Sequence, residues 1–137
     1  MKATLLILGV LLASQPVFAT PSPEGAAVYI ISPSQGEVVS NPVTVKFGLV
    51  GMGVAPAGMK KPNTGHHHLV VDIPGWTPST KKQLPKGELV RHYGGGQTQT
   101  TLDLGPGKHT LQILFGDSNH TLHDKPVISE RITIFVR

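Results

Sequence analysis

The chain has 137 residues, a formal charge of +4 and no cysteine. That length suits one domain with a packed core rather than two. The missing cysteine excludes a disulfide framework, thiol catalysis and lipid attachment through an N-terminal Cys, and the scattered lysines and arginines, with 5% aromatic residues, argue against nucleic-acid binding.

The chain opens with basic Met1-Lys2, the apolar run LLILGVLLA, too short to span a bilayer, and a small-residue pattern ending Val17-Phe18-Ala19. This predicts a signal peptide over 1–19 and a mature domain over 20–137, soluble, not inserted in the membrane, and placed in a periplasm or secreted. Loss of Lys2 takes the formal charge from +4 to +3.

Beyond it, short alternating or β-branched segments are punctuated by Gly, Pro, Asn and Ser, with no sustained helical spacing. Seven strands are predicted, at Ala26–Ile31, Val43–Val50, His66–Ile73, Glu88–Tyr93, Thr98–Leu104, His109–Phe115 and Val127–Val136. Alternation puts Val43, Val45, Phe47 and Leu49 in one core-facing row, Leu111, Ile113 and Phe115 in a second, and Ile132, Ile134 and Val136 in a third. The expected fold is all-β, an immunoglobulin-like seven-stranded antiparallel sandwich. The segments ISPSQGEVVSNPVTVKF and GPGKHTLQILFGD resemble strands of bacterial immunoglobulin-like domains, a likeness of fold rather than of function.

The stretch TGHHHLVVDI places His66, His67 and His68 at the entry of the third strand. In an up-and-down sandwich the loops 51–65, 94–97 and 116–126 share one end, and 32–42, 74–87 and 105–107 the other. Six of the seven histidines then gather at one end, His66–His68 beside His92, His120 and His123, with His109 alone at the other. Imidazole is a common ligand of copper and zinc, and one ion needs several such groups from separate segments. His66 and His68 point to one side of a strand with Cα atoms ~7 Å apart, a span one ion can bridge. The predicted ligands are His66, His68, His92, His120 and His123. His67 faces the core side with Leu69, Val71 and Ile73, and Asp117 and Asp124 are placed to add an oxygen ligand or to orient an imidazole. Met52 and Met59, in the loop leading into the triple histidine, carry soft sulfur that tilts the choice toward copper over zinc. Each of these histidines and methionines alone is more readily a surface or packing residue; the convergence of segments carries the prediction.

VAPAG, TGHHHL, HYGGGQT and GDSNHTLHDKPVIS, with the signal peptide, resemble the bacterial exported domain-of-unknown-function family 4399. The family pattern has histidines where His66, His67, His68, His92, His120 and His123 stand, and an acidic residue at Asp117. Lys125 stands where a second proline is expected. The resemblance implies export and a sandwich-like fold, and no established activity.

Enzyme chemistry is not expected, a metal-dependent hydrolase or oxidase with an open coordination position being the one catalytic alternative. There is no G-x-S-x-G elbow, Ser118, His120 and Asp124 crowd into one loop, Glu37, Glu88 and Glu130 share no end, and GGGQT precedes no helix. The functional expectation is an exported protein that binds a transition metal, copper ahead of zinc, for storage, delivery or tolerance. The alternative is a recognition module for a cell-envelope polymer or another exported protein, working through Trp76 and the loop PGWTPSTKKQLPKG.

Overall fold

The computed structural model describes residues 19–80 and 82–137. The predicted signal peptide, apart from Ala19, lies outside the described residues. All regular structure among them is β, as the short alternating segments require. The strands are β1 Ala27–Ser32, β2 Val38–Val39, β3 Val43–Val50, β4 Gly53–Val54, β5 Thr64–Val71, β6 Val90–His92, β7 Gln99–Leu102, β8 Gly107–Gly116, β9 Leu122–Ile128 and β10 Ile132–Val136.

Two sheets form. The smaller runs β1-β3-β7, antiparallel throughout. The larger runs β2-β10-β8-β5-β4, with β6 added to β5 and β9 to β8. Only the two-residue strands β2 and β4 pair in parallel. Along one edge of β8, β10 pairs with residues 107–111 and β9 with residues 114–116, so two chain segments share a single position.

The predicted rows form the core between the sheets. Val43, Val45 and Phe47 from β3 meet Leu69 and Val71 from β5, Leu111, Ile113 and Phe115 from β8, and Ile134 and Val136 from β10. Leu49 and Ile132 pack at its margin. Each such side chain contributes roughly 1.5–3 kcal/mol on full burial, and the chain has no disulfide to assist them.

Three expectations change. The predicted Val127–Val136 strand is two, β9 and β10, interrupted at 129–131, where Ser129 turns its hydroxyl onto the chain, receiving the Ile113 amide and donating to the Glu130 carbonyl. β9 begins earlier than expected, because Pro126 and Lys125 lie on an exposed edge where proline and charge are tolerated. The loop 74–87 leaves from the end away from the triple histidine, as predicted, but then returns along the outer face of the larger sheet: Leu84 N donates to the His120 carbonyl at 2.6 Å, and Gln83 bridges to Thr121. The returning chain is held by a second apolar cluster of Val70, Leu84, Leu114 and Leu122, with Ile73, Trp76 and Ile128 against it. β5 is therefore covered on both faces, and every residue from Gly65 to Val71 is buried.

Candidate metal centre

Strand alternation sorts the triple histidine. His67 turns inward, with ring centroids 5.0 Å from Phe47 and 5.1 Å from Phe115, and its Nδ1 lies 3.2 Å from the Gln97 carbonyl oxygen. His66 and His68 turn outward with Val70. Register then brings in partners: His68 stands opposite His92 of β6, and His66 opposite Gly116 of β8. Directly opposed residues share a face, so His92 joins the same side. His120 arrives from the turn after β8. One ring nitrogen from each of His66, His92 and His120 lies within 4.8 Å of the others.

His68 is the fourth member. Its ring centroid is 4.8 Å from His66, 5.1 Å from His92 and 6.1 Å from His120. The remaining pairs are 4.9 Å for His66–His92, 5.0 Å for His66–His120 and 4.6 Å for His92–His120. Four imidazoles bound tetrahedrally at a metal–nitrogen distance of ~2.0–2.1 Å have ring centroids about 5 Å apart. Five of the six separations match that value, and the sixth needs a shift of about 1 Å.

The environment is one that protein groups alone leave incomplete. His66 and His68 are fully buried, yet neither ring nitrogen of either residue has a hydrogen-bond partner, nor does Nε2 of His92 or His120. An unsatisfied buried polar group costs about 1–3 kcal/mol, so this cluster is held at substantial expense. Burial, then repulsion from His120 and His92, lowers the His66 pKa from 6.5 to about 4. Burial, then His66, His92 and His120, lowers His68 to about 3. Burial also leads the lowering of His92 and His120, joined by His120 for the former and by the Lys86 ammonium for both. The four rings are thus neutral at neutral pH, the form that presents a lone pair to a metal.

Two glycines make the room. A Cβ on Gly94 would collide with His92 Cε1, and one on Gly116 would stand 2.8 Å from His68 Cε1. The turn carrying His120 is built by Asp117: one carboxylate oxygen accepts the Asn119 and Thr121 amides at 2.8 and 3.0 Å, and the Asp117 carbonyl accepts the His120 amide. His120 takes φ +63°, a left-handed conformation seldom used by residues with a side chain, which this network and the Leu84 bond hold in place.

The other candidates lie elsewhere. His123 is on the far side of β8, stacked 6.1 Å from Phe115, with Nδ1 2.9 Å from Thr20 Oγ1. Asp117 shapes the turn, and Asp124 is exposed, its carboxylate accepting the Ser22 and Lys125 amides. Met52 packs on the inner core, and Met59 lines a cavity shared with His123. His109 is remote. Its two nitrogens donate to Asp72 and to the Gly105 carbonyl at 2.7 Å each, and these bonds raise its pKa against the opposing effect of burial. The glycines of GGGQT, Gly94 among them, are readable in the sequence as a tight turn beneath the histidine cluster, whereas the returning segment with Leu84, and Gly116, are not. Leu84, a lone apolar residue among polar neighbours, and Gly116, a glycine closing a strand, are the signals that mark them.

Residues 45–137 match the family model described as Domain of unknown function (DUF4399). The chain belongs to this family. The DUF4399 match contains all four clustered histidines and both glycines that make room for them, and excludes β1 and β2. No curated protein and no solved structure gives a significant match to the chain.

The depressed pKa values fix a pH dependence for the metal-free protein. Below 6.5 the unfolded chain binds protons on these histidines, whereas the folded chain does so only near pH 4 for His66 and near pH 3 for His68. The unfolded state therefore binds more protons across that window, and folding stability falls as pH drops through it, at about 1.4 kcal/mol per pH unit for each such histidine. Denaturant titrations of metal-free protein between pH 7 and 4 should show this slope, and it should be shallower in a His66→Ala/His68→Ala variant. Equal slopes in both proteins would contradict the assignment.

Proposed function

We propose that the protein is an exported transition-metal-binding protein that holds one ion through His66, His92 and His120, with His68 as the fourth ligand. The observation that carries this reading is the burial of these rings with six ring nitrogens unpartnered, a state that a bound ion relieves at four of them, one per ring. Copper(II) stands first by the affinity order for nitrogen sites, and zinc is its close competitor, because the near-tetrahedral spacing of the rings suits zinc better than the tetragonal geometry that copper(II) prefers. Methionine sulfur no longer supports that choice, since Met52 and Met59 pack elsewhere. Four protein ligands close a tetrahedral ion to substrate, which favours storage, delivery or tolerance over catalysis. Buried neutral rings also resist competing protons down to lower pH than exposed imidazoles do. Export rests on the signal-like sequence before Thr20, and an immunoglobulin-like arrangement is our reading of the two facing sheets. A recognition surface centred on Trp76 draws less support, because Trp76 packs into the outer apolar cluster.

The test is titration of metal-stripped, tag-free protein with copper(II) and zinc in the presence of a competing chelator. One tightly held ion per chain is expected. Absence of binding, or several loosely held ions without saturation, would overturn the proposal.

A further inference from the structure

The six ring separations fix the shape of the histidine centre as well as its size. Taken in the order His68, His66, His120, His92, the rings form a four-sided figure with edges of 4.8, 5.0, 4.6 and 5.1 Å and a His68–His120 diagonal of 6.1 Å. Were the four centroids coplanar, those five lengths would put His66 and His92 about 7.6 Å apart, as the flat ligand set of tetragonal copper(II) requires. They are 4.9 Å apart. The centre is folded far out of plane.

The rings that would have to move to flatten it are pinned. His68 lies against Gly116 and His92 against Gly94, with too little space for even a Cβ. His66 stands on β5, where every residue from Gly65 to Val71 is buried. His120 is held by the turn whose amides bond to the Asp117 carboxylate.

Charge points the same way. Among the described residues, no carboxylate joins His66, His92 and His120 in the donor group. The Asp117 charge reaches His66 and His120, but its carboxylate already accepts from Thr20 Oγ1 and from the Asn119 and Thr121 amides. The Lys86 ammonium acts against it at His120 and also reaches His92. An ion held by these neutral rings therefore keeps nearly its whole charge, beside His66 and His68, which are fully buried. The cost of burying an ion rises steeply with its charge. A monovalent ion is thus favoured over a divalent one, and Cu(I), with a filled d shell as zinc has, makes no demand for a flat site. On the reading that the four rings hold one ion, we propose that the centre favours Cu(I) over Cu(II) and carries copper in the cuprous state. The order that places copper(II) ahead of zinc ranks divalent ions alone.

Two competition titrations of metal-stripped, tag-free protein test this, one with Cu(I) supplied as its bathocuproine disulfonate complex under argon, the other with Cu(II) against nitrilotriacetate. Cu(I) should bind at least about tenfold more tightly, a difference of about 1.4 kcal/mol. Electron paramagnetic resonance of the Cu(II)-loaded protein should show a smaller parallel hyperfine splitting than tetra-imidazole copper(II) in solution, the signature of a non-planar ligand set. The His66→Ala/His68→Ala variant should lose the preference for Cu(I). Cu(II) binding as tightly as Cu(I), or a tetragonal spectrum, would overturn this inference and leave the one-ion site standing. A Cu(I) preference that survives in the double variant would also overturn it, assigning the ion to methionine sulfur such as that of exposed Met59. Failure of both ions to bind would remove the metal site itself and this inference with it.

Discussion

Replacing His66 by alanine is expected to weaken copper(II) or zinc binding by more than about 100-fold, beyond the ~10–100-fold that loss of a group merely orienting a ligand costs. His66 is within 5.0 Å, centroid to centroid, of each of the other three rings, so its loss opens the middle of the cluster. The metal-free protein should respond quite differently. Truncation leaves a cavity, which destabilises, but also removes two buried nitrogens that have no partner, which stabilises. The two effects oppose, and the apo variant should unfold within about 1 kcal/mol of the parent. Gly94→Ala offers a second route to the same loss without removing a ligand, since its Cβ must displace the His92 ring. Competition titration measures the affinity, and denaturant unfolding the stability. A His66→Ala protein that still binds within tenfold of the parent would place the ion elsewhere.

The second large effect is stabilisation by the ion. A ligand that binds only the folded state adds about 4 kcal/mol when its free concentration is ~1,000 times its dissociation constant. For a chain of this size that should raise the melting temperature by more than about 10 °C. The parent should show the full shift with one equivalent of copper(II) or zinc in modest excess, and the His66→Ala/His68→Ala variant almost none. Calorimetry of both proteins with and without metal decides it. Equal shifts in the two would show that the ion acts through His67, His109, His123 or the surface.

The fold was largely legible because the chain is simple where it matters. Val43, Val45 and Phe47, and Leu111, Ile113 and Phe115, keep strict alternation, and that period admits only one side for each row. The gathering of His66, His68, His92 and His120 followed from the same logic, since alternation and hairpin order alone bring those positions to one region. His123 escaped it. Three residues beyond His120, it looks like a chelating partner, but the tight turn at Asp117 and the start of β9 at Leu122 send it to the opposite side of β8. The return of 74–89 over the outer face was also hidden. Its anchors, Leu84 and Trp76, are isolated apolar residues with no period of their own, and their destination is set by an outer cluster contributed by other strands. Gly116 acts by what it lacks, which only the His68 ring packed against it reveals.

The central claim is that imidazole nitrogens, and no sulfur, hold one ion on the outer face of β5. X-ray absorption at the metal edge of protein loaded with one equivalent of copper(II) tests it most directly, because the ligand shell is read from the ion itself. The account predicts a shell of nitrogen at ~2.0 Å with the outer-ring scattering of three to four imidazoles, collapsing in the His66→Ala/His68→Ala variant. A sulfur shell near ~2.3 Å, or a shell of light atoms with at most one imidazole, would contradict it.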